Sequence, residues 1–398
     1  MISAVSVPAH RRLRVCLVYD CLYPWTIGGE EHWLRRLAET LVAQGHAVTY
    51  LTRQQWPADQ PPSIPGVRVV AVSRDEPLYG PRGARRTTPT LRFARGVARH
   101  LAAQRRSYDL VHTCGFPYFH LPALRLALAG ARVPVVVDWP EVWSRAYWRS
   151  YVGGVGGRLA ELVQAACIRL TPTALVFSEL YADRLRTGGA APLRIGGLGP
   201  DVLPGRAQLD PPAQPRVLFL GRHISEKRPD LVVRAVPVAR ALPGLGALTA
   251  QVLGDGPERP AVLALVAALG LADVVTVPGF VPAGELANAL RTATALVHPS
   301  SREGFGIVVV EAAALGTPVV LVQGPDNAAV ELVVPGVNGE IAEDDSPEAV
   351  AAAIARVHAG GAALRASTAR WYAEQAPALA ASATAGRVAE LYARLSSG

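Results

Sequence analysis

The run Gly221-Arg222-His223-Ile224-Ser225-Glu226-Lys227 sets a guanidinium and an ammonium five residues apart, directly after an apolar stretch with β-strand character. A planar fork and a compact point charge together suit two adjacent phosphates better than either does alone. A solvated surface pair is the competing reading of such a loop. Arginine supplies all but one of the 40 basic residues, and Lys227 is the exception. Where arginine has replaced lysine so thoroughly, the one surviving ammonium calls for a reason, with chance survival as the alternative.

A second run, Pro299-Ser300-Ser301-Arg302-Glu303-Gly304-Phe305-Gly306-Ile307-Val308-Val309-Val310-Glu311, leads from a strand through a glycine-containing loop into a helix. Gly304, Phe305 and Gly306 sit where free amides attract an anion and glycine lets backbone approach it. Glu303 and Glu311 fall about 7–10 Å apart along such a helix axis, too far to work as one pair. Beside a phosphate they would repel it, so their sensible work is to accept hydrogen bonds from hydroxyls on either side, a sugar on one and a ribose on the other. Gly28-Gly29-Glu30-Glu31 is a third, weaker signal, because glycine pairs at loop ends are also ordinary turn chemistry.

These loops need strands that end at a common edge. The first half alternates β-branched runs with helical stretches: strands over 13–19, 48–52, 67–72, 110–113, 133–138 and 174–177, and a helix over 30–44 with Trp33, Leu34, Leu37, Leu41 and Val42 on one face. The pattern lapses over 198–216, which holds five prolines, and restarts with strands over 217–220, 251–253, 274–277, 295–297 and 318–322. Helices fit between them over 230–241, 259–269, 306–315 and 328–333, and a last one over 376–395. The expected fold class is α/β, two Rossmann-like doubly wound domains facing across a cleft. Residues 1–200 form the first domain, 201–215 a linker, 216–375 the second, and 376–398 a helix returning across the boundary.

The chain has 398 residues, half of them hydrophobic, which excludes disordered and disulfide-stapled classes. Its four cysteines, with no C-x-x-C pair, fit a reducing cytoplasmic setting rather than a zinc site. The net charge of +8 favours anionic partners without choosing among them. No nucleic-acid-binding module is present. No G-x-G-x-x-G follows a strand, and Lys227 follows glutamate rather than glycine, which set aside nicotinamide and P-loop enzymes.

The Gly28-Gly29 loop, Arg222 with Lys227, Gly254-Asp255-Gly256-Pro257 and the E-x7-E spacing from Glu303 to Glu311 together resemble glycosyltransferase family four, retaining enzymes of the GT-B fold. The resemblance implies that Arg222 and Lys227 bind the donor diphosphate; the Gly28-Gly29 loop, expected opposite them, is a candidate for capping it. It implies that Glu303 and the amides of Gly304 to Gly306 hold the transferred sugar and Glu311 the ribose, with Gly279, Phe280 and Val281 near the base. The co-substrate would be a UDP- or GDP-linked sugar and the acceptor a small molecule, glycan or lipid. No further cofactor or metal is expected, since no D-x-D occurs. A nucleotide-sugar epimerase and a non-catalytic nucleotide-sugar binder are the rival readings.

Two departures fall on the acceptor side. The strand that in the family often ends near a histidine ends here in Asp138-Trp139-Pro140-Glu141, and Gly196 to Asp201 lacks the usual Asn-Gly-Val-Asp. Acceptor-side candidates are therefore His112, His120, Asp138, Trp139 and Trp143. The aromatic stripe Trp143, Tyr147, Tyr151 reads equally as core or as an acceptor platform. Arginines 82, 85, 86, 92, 95, 99, 105 and 106 read as a solvated face, as a peripheral contact with the inner membrane face, or as a contact with an acidic acceptor.

Overall fold

A computed structural model describes residues 11–57, 59–80, 85–201 and 205–397. They form two compact units. One takes the chain through Phe177, then Tyr181–Ile195 and everything from Ala381; the other takes Ser178–Leu180 and Gly196–Ala380.

The first unit runs β1 (Arg14–Val18), α1 (Gly29–Ala43), β2 (Ala47–Arg53), β3 (Val67–Ser73), α2 (Thr87–Gln104), β4 (Leu110–Cys114), α3 (His120–Ala127), β5 (Val135–Asp138), α4 (Arg145–Val152), α5 (Gly154–Arg169), β6 (Thr173–Val176), α6 (Glu179–Thr187) and β7 (Pro192–Arg194). Its sheet is parallel throughout, in the order β3-β2-β1-β4-β5-β6-β7. The central strands β4 and β5 are buried throughout, as β1 is after Arg14, and most of their residues are apolar, as suits a parallel sheet covered on both faces. Helix α1 buries Trp33, Leu34, Leu37 and Leu41 and carries Glu30 and Glu31 in its first turn.

The second unit runs β8 (Arg216–Leu220), α7 (Pro229–Arg240), β9 (Thr249–Leu253), α8 (Arg259–Ala268), β10 (Val275–Gly279), α9 (Ala283–Arg291), β11 (Ala295–His298), β12 (Arg302–Glu303), α10 (Ile307–Ala314), β13 (Val319–Val322), β14 (Asp326–Asn327), β15 (Gly339–Ala342) and α11 (Pro347–Leu379). Its main sheet is parallel in the order β10-β9-β8-β11-β13-β15, and β12 pairs separately with β14. The strand order reverses between β8 and β11, and ligands of doubly wound sheets bind just beyond the carboxyl ends at such a reversal.

Several sequence expectations shift. The helix expected over 328–333 is a single 3₁₀ turn, and Glu303 lies in the short strand β12 rather than in free loop. The terminal helix expected over 376–395 breaks at Ala380, so Ala376 belongs to α11 and a separate α12 (Ala381–Leu395) packs on α1 in the first unit. The break falls where the Gly197 and Gly199 amides take the carbonyls of Ala378 and Leu379. Residues 205–215 carry no regular element, and Gln208 is held by Arg365. That buried guanidinium also donates to the carbonyls of Ala293 and Arg291, both at 2.7 Å, and desolvation lowers its pKa to about 10.

The arginine-rich stretch is not one basic face. Arg82 lies outside the described residues, Arg85 turns inward to an ion pair with fully buried Asp20, and Arg92 pairs with Glu76. An acid behind the stretch offers Arg85 a partner, and a buried charge without one would be costly.

Candidate active site

Lys227 ends a 3₁₀ turn (Ser225–Lys227) that follows β8, and Glu303 lies five residues past the end of β11. The two side chains form an ion pair at the point where the strand order reverses. His298, the last residue of β11, places Nε2 2.9 Å from Glu303 Oε2, and Ser300 Oγ lies 3.0 Å from the same nitrogen. The imidazole is buried and stacked on Phe219 with centroids 6.1 Å apart. Burial lowers the pKa of His298, so the ring is neutral, and donation to a carboxylate requires its proton on Nε2. Burial alone would raise Glu303, yet the Lys227 ammonium and the His298 hydrogen bond hold it well below the usual carboxylate range. The result is a fixed carboxylate with Oε2 occupied by two donors, while Oε1 accepts no hydrogen bond from the described residues.

The loop carrying Arg222 is fixed from beneath. The His223 amide donates to Asp255 carbonyl oxygen at 2.8 Å, and the Glu258 amide to the His223 carbonyl at 2.9 Å. Gly254 has φ +116°, and a Cβ there would lie 1.9 Å from the Gly221 carbonyl oxygen, so only glycine lets the two loops meet this closely. Arg222 itself is exposed and its side chain has no ion pair among the described residues.

Gly306 caps α10 in the left-handed region, φ +96°, with an implied Cβ 2.7 Å from Ala329 Cβ. Gly304, Phe305 and Gly306 are all buried. Glu311 is the fifth residue of α10; it has no charged partner among the described residues, and burial pushes its carboxyl up to about 7. At the end of β10, Gly279 has φ +92°, Phe280 is 70% exposed and Val281 is partly buried.

In the first unit Gly28 is the N-cap of α1 and Gly29 its first residue. Asp138, at the end of β5, is completely buried: its Oδ2 accepts from Trp33 Nε1 at 2.7 Å and lies 2.8 Å from His112 Nε2. His112 in turn meets the hydroxyl of Tyr392 on α12. Glu30 is enclosed near Asp138, and burial followed by that charge raises its carboxyl well above the usual range. His120 opens α3, donating from Nε2 to the Cys114 carbonyl at 2.8 Å, and burial lowers its pKa to about 4. Trp139 and Trp143 are 1% and 8% exposed. Trp143 is packed on Trp148, Tyr147, Tyr151 and Phe116, and it precedes α4 instead of belonging to its stripe. The core reading describes where these two indoles sit.

Thus Lys227 meets Glu303, and His112 meets Asp138, while the side chains of Arg222 and Glu311 stand without charged partners among the described residues. His298, Ser300 and Tyr392 escaped sequence reasoning. The one available signal for His298 was a polar residue closing the apolar run Ala295-Leu296-Val297.

A family model of group 1 glycosyl transferases matches residues 206–372, and one of glycosyl transferase 4-like domains matches 28–199. The D-inositol 3-phosphate glycosyltransferase of Streptosporangium roseum is 32% identical over 379 residues, covering 88% of this chain and 80% of that protein. The chain belongs to glycosyltransferase family four. Sucrose-phosphate synthase of Thermosynechococcus elongatus superimposes with a TM-score of 0.77 at 21% identity, over 96% of this chain and 99% of that one. Anabaena HepE, solved with UDP and glucose, gives 0.67 at 18% identity over 96% and 99%. As a family-four glycosyltransferase the chain is an enzyme that transfers a glycosyl group, built on the GT-B fold.

Proposed function

We propose that this glycosyltransferase moves a sugar from a UDP- or GDP-linked donor to a hydroxyl-bearing acceptor, with retention at the anomeric carbon and no metal. The Lys227–Glu303 pair at the strand reversal carries the reading. In this reading Glu303 Oε1, which accepts no hydrogen bond from the described residues, accepts from hydroxyls of the sugar, and the Lys227 ammonium keeps further protons for phosphate oxygens beside the exposed Arg222. Gly304 to Gly306 and the start of α10 add backbone donors, and Glu311 accepts from the ribose.

As the bond from the anomeric carbon to the phosphate oxygen breaks, the diphosphate gains negative charge where these cations already stand. The acceptor oxygen forms its bond on the same face, and its proton passes to the departing phosphate oxygen. Atoms and charge balance without an enzyme nucleophile. UDP is the first donor base to test because HepE was solved with it, and a phosphorylated cyclitol is the first acceptor, from the name of the Streptosporangium relative.

The test is incubation with UDP- and GDP-sugars and an acceptor panel, with and without EDTA, followed by product mass and anomeric configuration by NMR. Retained configuration at a rate indifferent to EDTA is expected. An inverted product, or activity that EDTA abolishes and Mg²⁺ restores, contradicts the proposal.

A further inference from the structure

Helix α5 carries an apolar stripe that no described part of the chain covers. Val155, Leu159 and Leu162 are 77%, 60% and 66% exposed, and Leu170, just past the helix, is 39% exposed. Their i, i+4, i+7 spacing puts the first three on one face. The opposite face, with Gly157, Gln164, Cys167 and Ile168, is buried. The helix is therefore firmly seated, and its leucines point outward by construction. A seated surface helix ordinarily turns its leucines in and its polar residues out. The arginines of this hairpin are Arg145 and Arg149 on α4 and Arg158 and Arg169 on α5, all exposed. The only acid of the two helices, Glu161, lies 3.5 Å from Arg145. On the helical wheel Arg158 and Arg169 fall roughly 50–70° from the centre of the stripe, so cation and hydrocarbon face the same way.

We propose that α5 is a docking surface for a bilayer bearing anionic lipid headgroups, its leucines entering the acyl boundary while Arg158 and Arg169 meet the phosphates. Two observations choose a lipid surface over a second copy of the chain. A stripe about 24 Å long and 10 Å wide offers on the order of 250 Å², against about 800 Å² from each partner in a stable complex. Pairing the face with itself would also bring like charges together, because its one acid already has a partner, whereas headgroup phosphates complement them. The contact is independent of the donor site in the second unit, so either reading can fail alone.

The experiment is co-sedimentation of the full chain with vesicles of equal parts phosphatidylglycerol and phosphatidylcholine, and with phosphatidylcholine alone. Leu159→Glu/Leu162→Glu changes only outward-facing side chains; far-UV circular dichroism and the thermal shift by UDP check folding. Binding to the anionic vesicles alone is expected, falling more than roughly tenfold in this variant. A second variant, Arg158→Gln/Arg169→Gln, keeps the stripe and should lose about fivefold per arginine, as should wild type in high salt. No binding of wild type to anionic vesicles overturns the proposal, as do variants that bind undiminished. Light scattering that shows a dimer split by Leu159→Glu/Leu162→Glu assigns the face to a second copy and overturns it equally.

Discussion

Glu311→Gln separates what a buried carboxylate does to folding from what it does for a ligand. Burial raises its folded pKa from 4.5 to about 7. A shift of about 2.5 units corresponds to about 3 kcal/mol, at about 1.4 kcal/mol per unit. The folded pKa is the higher one, so the protonated carboxyl favours folding below pH 4.5, and this contribution is lost as pH rises through 7. Glu311→Gln, always neutral, should then match wild type near pH 4 and be more stable near pH 8.5 by about 3 kcal/mol. For a unit of this size that is roughly 6–12 °C in Tm. Ribose hydroxyls should reverse the preference, because they donate to the ionised form and lower its pKa on binding. Near pH 7 about half the molecules are protonated, so UDP should release up to about 0.5 proton more from wild type than from the variant. Thermal melts at the two pH values and calorimetry in buffers of different ionisation enthalpy read the two effects. An equal Tm shift at both pH values, or the same proton release from both proteins, would refute the reasoning.

Other substitutions follow from the same geometry. His298→Gln should lower kcat roughly 10- to 100-fold, the worth of a hydrogen bond to a charged group, and leave UDP affinity nearly unchanged, because the ring acts through Glu303; an unaltered kcat removes it as a positioning residue. Gly306→Ala combines a left-handed φ with a 2.7 Å approach to Ala329 Cβ, and should cost at least about 2 kcal/mol by urea denaturation. Arg85→Ala leaves Asp20 buried without its partner and should cost about 3–5 kcal/mol, while Arg92→Ala, whose partner is at the surface, should stay within about 0.5. Equal costs for the two arginines would show that burial does not govern them.

Much of the site could be read from the sequence because its residues lie near one another along the chain or just after strands. The alternation of apolar runs and helical periods located β8 and β11, and with them the loops of Lys227 and Glu303. Partners distant in sequence were invisible. Asp138 is held by Trp33, 105 residues earlier, and His112 by Tyr392, 280 residues later, and no local pattern encodes such pairings. Arg85 looked like one of a basic row because its charge is in the sequence and the buried carboxylate behind it is not adjacent. The leucines of α5 were equally hidden, since a helical apolar period does not say whether its face is covered.

The account stands most directly on the turnover of Lys227→Ala at saturating donor, with donor affinity measured separately. A fall of about 10²–10³ in kcat is predicted, the usual cost of losing one group that receives charge in the transition state. Turnover equal to wild type would mean that no departing diphosphate leans on this ammonium.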